Sequence, residues 1–316
     1  MRYRSAGLRR DEAARGMAGQ KANEDMPAAG AAGDAGAGRA TLIGCGAILL
    51  WATLAPLTVL KGGIPPFETT AISFAVGTIT IALAAIVRGR AHLLVPTPAS
   101  LLLGVYGLFC FHALYFSALA LAPPAEAHLL ASLWALLIVL MSALLPGHRL
   151  SLRHLAAALI GFAAAAVIVW HKLGGQGSGS AGLGFLLALA CAAIWSTYSV
   201  ASRLLAPVAP ESLWAATGIT ALLAALVSAL AEAPVMPSGP AQWAALAALG
   251  LGPVGGAFVM WDVGMKHGRI ATLGVLSYAS PVLSTLLLVG AGLSQGSLAL
   301  AAAVVLMTIA GIMATR

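Results

Sequence analysis

Two carboxylates stand inside long apolar runs of this sequence, Asp262 between Trp261 and Met265, and Glu126 in the stretch leading to Trp134. A charge at membrane depth is costly, so each needs a partner or a task. Asp262 lies four residues before Lys266 and seven before Arg269, a spacing that brings it against a basic partner on a helix. A structural ion pair and a gating role are both open to it. Glu126, followed by His128, can accept an ammonium group or carry a proton. Near the end of a run it can equally be solvated.

Trp51 and Trp195 fall mid-run, away from the interfacial positions where tryptophan is enriched. Such faces, with Trp134, can stack on an aromatic side chain or hold an ammonium by cation–π attraction. Tyr198 and Ser199 follow Trp195 at i+3 and i+4 and share its helical face. Their hydroxyls can bind a carboxylate or bond back to their own helix. His112 and Tyr115, three apart, make a second polar face. Pro281, three residues after Tyr278, removes a backbone donor and frees the carbonyl of Ser277, so it can bend its helix. Trp51, His112, Tyr115, Glu126, Trp134, Trp195, Tyr198, Ser199 and Tyr278 are the candidate substrate-binding residues, and Asp262 and Pro281 the candidates for gating or a hinge. Helix packing is the competing account of each.

No catalytic set converges. His112 has no second His or Cys at ligand spacing, and neither HExxH nor a P-loop occurs. The GxSxG match at Gly292–Gly296 falls in a turn between apolar runs, not at a strand-to-helix elbow. Cys45, Cys110 and Cys191 are far apart in apolar runs and read as small packing residues. No metal, cofactor, enzymatic activity or ATPase partner is expected.

The elements that carry these residues are membrane spans. Sixty per cent of the 316 residues are apolar and 9% charged, with a mean hydropathy of +0.95, more apolar surface than a soluble fold needs. Ten apolar segments follow residues 1–39: 40–60, 67–87, 98–120, 125–145, 152–171, 181–204, 210–231, 240–265, 270–290 and 295–314. Turns rich in Pro and Gly separate them. Residues 1–39, rich in Arg, Ala and Gly without an apolar core, read as a disordered cytoplasmic tail. The net charge of +7 does not point to nucleic acid, because its basic residues sit in short loops and that tail. With the N-terminus inside, 15 of the 17 Lys and Arg are cytoplasmic and only Lys61 and Lys172 are outside, which places both termini inside.

The chain also repeats. Trp51-Ala52-Thr53 returns as Trp195-Ser196-Thr197, Glu68 as Glu211, and Ser132–Leu137 as Tyr278–Leu283, at offsets of 144, 143 and 146. A five-span copy re-enters the membrane upside down, so residues 40–172 and 181–316, joined by 173–180, read as inverted five-helix repeats. Such a repeat implies alternating access to a site near the midplane, touched by the first, third, fourth, sixth, eighth and ninth segments. Because Ala135 stands where the second copy has Pro281, the ninth segment is expected to bend more than the fourth.

Over residues 40–316 the pattern resembles the drug/metabolite transporter superfamily of the EamA type. Ala40–Trp51, Trp261–Gly268 and Ser277–Ser284 are similar to its branch of bacterial aromatic amino acid exporters. The resemblance implies an all-α, multi-pass inner-membrane protein that exports aromatic and other neutral amino acids without ATP. The substrate is a small molecule and the bilayer the only other partner. A drug or metabolite exporter with a different substrate is the alternative, and an intramembrane enzyme is disfavoured for want of a catalytic set.

Overall fold

Prolines set where several of the helices begin. In the computed structural model, which describes residues 35–142, 152–153, 156–157, 159–161, 163–164, 179–277 and 279–314, Pro66, Pro98, Pro124, Pro210 and Pro240 each open a helical segment. The first position of a helix has no use for the N–H that proline lacks. Seven helices are long and apolar enough to cross a membrane: α1 (Ala35–Leu60), α2 (Pro66–Val87), α3 (Pro98–Leu121), α5 (Ser180–Leu205), α6 (Pro210–Ala231), α7 (Pro240–His267) and α8 (Thr272–Gly290). Among the described residues two shorter apolar helices accompany them, α4 (124–142, in two pieces) and α9 (Leu298–Ala314). No strand occurs among the described residues. The expected tail before residue 35 and most of the expected fifth span, 152–171, lie outside them.

The elements recur at a fixed distance along the chain. α1 and α5 both have 26 residues and begin 145 apart; α2 and α6 both have 22 and begin 144 apart. α3 and α7 each contain one wide, π-type turn, Tyr106–Cys110 and Gly250–Gly256, again 144 apart at their starts. In α7 the cause is Pro253, whose ring and missing N–H prevent regular α-helical bonding.

α2 and α6 lie antiparallel against each other and are tied at both ends. The Glu232 carboxylate, just past α6, accepts the Phe67 and Glu68 amides at 2.9 and 3.0 Å, which satisfies two orphan donors at the start of α2. Glu68 in turn accepts the Val235 amide at 2.9 Å. At the other end Glu211 meets Arg90 at 3.2 Å, and the Trp214 indole donates to the Leu94 carbonyl at 2.6 Å. Glu68 and Glu211, repeat-related in the sequence, thus each hold the loop that follows the other's helix.

Two helices are interrupted where they will matter. In α1, Thr53 donates its amide and hydroxyl to Leu50, at 3.0 and 2.6 Å, and regular helix resumes at Leu54. Pro56, lacking an N–H, cannot bond the Ala52 carbonyl. α4 divides into Pro124–Ala131 and Trp134–Ser142. Across the break Leu133 and Ala135 reach back only three residues, to Leu130 and Ser132, at 3.1 and 3.2 Å. So α4 is interrupted at Ser132–Leu133 with no proline present. Pro281 lies buried within α8.

Candidate functional site

Four tryptophans and a cluster of phenyl and imidazole rings meet in the middle of the bundle. Trp51 on α1 is the hub. Its ring centre lies 5.2 Å from Trp195 on α5 at 88°, 6.0 Å from Trp134 on α4 at 81°, and 5.1 Å from Trp261 on α7 at 60°. These are edge-to-face and tilted geometries that ring quadrupoles favour, each worth about 0.5–1.5 kcal/mol beyond burial. Phe258 on α7 lies 5.8 Å from Trp195 and 6.3 Å from Trp51. Phe111 stacks on Tyr115 at 5.5 Å and 10°.

A cavity of about 30 Å³ lies among these rings. Its wall is drawn from N-terminal and C-terminal elements together: Trp51 and Leu54 of α1, Phe111, His112 and Tyr115 of α3, His128, Ala131, Ser132 and Trp134 of α4, Trp195 of α5, Phe258 of α7 and Ser280 of α8. These elements coincide with the first, third, fourth, sixth, eighth and ninth apolar segments. The space suffices for a water or two and is far below the several hundred Å³ of sites that hold small molecules. The walls must part before a small molecule fits.

Local structure explains how these side chains arrive. In an unbroken α4, Trp134 would lie about 120° around the helix from His128; the interruption at Ser132–Leu133 brings both onto one cavity. The π turns supply carbonyl acceptors. Ala257 in α7 bonds back five residues to Gly252, and the Pro253 carbonyl takes the Trp51 indole N–H at 3.0 Å. In α3 the Leu108 carbonyl takes His112 Nδ1 at 3.0 Å. Tyr115 Oη and His128 Nδ1 are 2.8 Å apart.

Of the candidate residues, Trp51, His112, Tyr115, Trp134 and Trp195 meet at this cavity. Tyr198 packs behind it, with its ring 5.1 Å from Trp195, and Ser199 lies 3.4 Å from the Trp261 indole nitrogen. Glu126 is buried but not on this wall; it lines a separate recess with the Gly292–Gln295 turn. Asp262 pairs with Lys266 at 2.7 Å, both side chains 5% exposed, and Lys266 also donates to the Val208 carbonyl at 2.7 Å. That ion pair was one of the two readings of Asp262. Pro281 adjoins Ser280 on the wall, and Tyr278 lies outside the described residues.

Sequence reasoning missed His128, Phe111, Phe258 and Ser280 as wall residues. The phenylalanines carried no signal in runs already apolar. His128 did, as an imidazole in an apolar run four residues before Ser132.

Comparisons with known proteins give one reading. Residues 38–170 match the model of the EamA-like transporter family. Over 270 residues the chain is 51% identical to a protein of Ancylobacter novellus named Aromatic amino acid exporter YddG, covering 84% of this chain and 94% of the relative. A solved crystal structure 48% identical in sequence superposes with a TM-score of 0.73, covering 87% of this chain and 97% of that one. On that extent of identity and cover, the chain belongs to the EamA-like transporter family.

Proposed function

We propose that this protein is a secondary transporter that exports aromatic and other neutral amino acids across the bacterial inner membrane. The observation that carries the reading is the narrow aromatic cavity built jointly by α1, α3 and α4 with α5, α7 and α8. Rings at T-shaped and tilted angles offer faces and edges to an aromatic side chain. The relative's name supports the substrate class.

Ten spans and two inverted repeats, 40–172 and 181–316, joined by 173–180 and preceded by a tail that ends before Ala35, where α1 already begins, are the frame we infer for alternating access. The matched helix lengths and paired π turns support it. Both termini are then cytoplasmic. Candidate contacts are Trp51, His112, Tyr115, Trp134 and Trp195 at the cavity, with Tyr198, Ser199 and Glu126 away from its wall; Tyr278, outside the described residues, is kept as a candidate on its sequence position alone. Asp262 and Pro281 act in gating.

Counterflow in proteoliposomes tests the function. Labelled phenylalanine is expected to accumulate saturably against preloaded phenylalanine, with methionine and threonine competing and cationic dyes not. Absence of flux for any amino acid, in protein that elutes as a folded monodisperse species, overturns the reading. Topology has its own test. A cysteine at Gly89 should react with impermeant maleimide only from the cytoplasmic side, and one at Gly63 only from outside.

A further inference from the structure

The cavity holds two imidazoles whose fixed partners leave opposite chemistry on their free nitrogens. The Leu108 carbonyl can only accept, so Nδ1 of His112, 3.0 Å away, carries its proton. The neutral ring then has a lone pair at Nε2. His128 is the reverse. The Tyr115 hydroxyl lies 2.8 Å from His128 Nδ1; with the hydroxyl donating, that nitrogen is bare and the proton of the neutral ring sits on Nε2. This Nε2 is buried and has no hydrogen-bond partner among the described residues, although His128 is only 5% exposed. An unmet buried donor is destabilising, and here it belongs to a residue of the cavity wall.

We propose that His128 and His112 read the two ends of an amino-acid zwitterion. The Nε2–H of His128 donates to the carboxylate, and the Nε2 lone pair of His112 accepts from the ammonium. Tyr115 is a positioning residue that sets the tautomer of His128. The aromatic walls then take the side chain, which sets size and shape but not the requirement for a free amino acid. This inference rests on the transport reading above and goes further: it makes the backbone ends of the substrate, read by two neutral rings, the basis of class selectivity.

The test is competition against labelled phenylalanine counterflow by phenylalaninamide, which lacks the carboxylate, and N-acetylphenylalanine, which lacks the ammonium. A hydrogen bond to a charged group corresponds to about 10- to 100-fold in affinity, so the native protein should bind each analogue that much more weakly than phenylalanine. His128→Phe should bring the amide to within about threefold of phenylalanine and leave the penalty on the acetyl analogue intact. His112→Phe should do the opposite. Tyr115→Phe should mimic His128→Phe in part and serves if that variant fails to fold. Native protein that transports phenylalanine but shows no penalty on either analogue overturns the inference alone. So do variants that relax both penalties equally, as a loosened cavity would. Native protein with no amino-acid flux overturns the transport reading and this inference with it.

Discussion

The indole N–H of Trp51 donates to the backbone carbonyl of Pro253 at 3.0 Å, across 202 residues of chain. The π turn in α7 leaves that carbonyl available, and the bond fixes the hub of the aromatic cluster to the opposite wall. Trp51→Phe keeps a ring but deletes the donor. The orphaned carbonyl should cost about 1–3 kcal/mol, read as a lower melting temperature in detergent. Transport of tryptophan and phenylalanine should weaken with it, through KM. An unchanged melting temperature would show that the bond adds nothing to stability.

Asp262 and Lys266 form a buried pair one helical turn apart, and the ammonium also holds Val208. Removing one partner strands the other charge. Lys266→Met should therefore destabilise by about 3–5 kcal/mol. The double variant Asp262→Asn with Lys266→Met should recover more than half of that loss, because no charge is left buried. If the double variant is as unstable as the sum of the singles, the two residues act independently.

α1 and α7 touch backbone to backbone at Gly44 and Gly264. A Cβ on Gly264 would stand 2.9 Å from the Cα of Gly44, closer than atoms in a packed interior approach, and backbone cannot give way as a side-chain tip can. Gly264→Ala should cost about 1–3 kcal/mol by overpacking. Gly290→Ala, whose Cβ would meet nothing within 4 Å, is the control and should leave thermal stability unchanged.

Lys61, in the turn between α1 and α2, is buried and donates to the carbonyls of Ile64 and Gly62. Burial pushes its ammonium down from 10.5 to about 8, against the pull of Glu232 and Glu68. Between about 8 and 10.5 the unfolded chain therefore holds a proton that the folded chain has lost, so stability rises with pH across that window. Lys61→Met removes the group. Relative to this variant, the native protein should gain stability between pH 7 and 10, by at most about 3 kcal/mol at 1.36 kcal/mol per unit. A difference in melting temperature that stays constant with pH would contradict the linkage.

The sequence by itself determined that the chain is a run of apolar helices, and much of what connects those that are described. Hydropathy is local and additive, so α2 was legible to within a residue of its ends, and the prolines that open α2, α3, α6 and α7 were already visible as turns. Spacing marked Asp262 and Lys266 as partners, because four residues is one turn of helix. The indoles Trp51 and Trp195 stood out because nothing about lipid explained them in mid-run, and Trp134 because its segment, Ser132–Leu137, repeats the one that holds Pro281. Tertiary structure decided which face of each helix is inward. In a chain apolar on all sides, the periodicity that marks the buried face of a soluble helix disappears, so Phe111 and Phe258 were indistinguishable from residues that face lipid. It also decided the breaks. The interruption at Ser132–Leu133 carries no proline, and only the fold shows that it turns His128 and Trp134 onto the same cavity. The polarity of His128 is tertiary as well: it depends on the Tyr115 hydroxyl 2.8 Å from its Nδ1, brought there by the packing of α3 on α4, whereas His112 finds its partner one turn back on its own helix, at the Leu108 carbonyl.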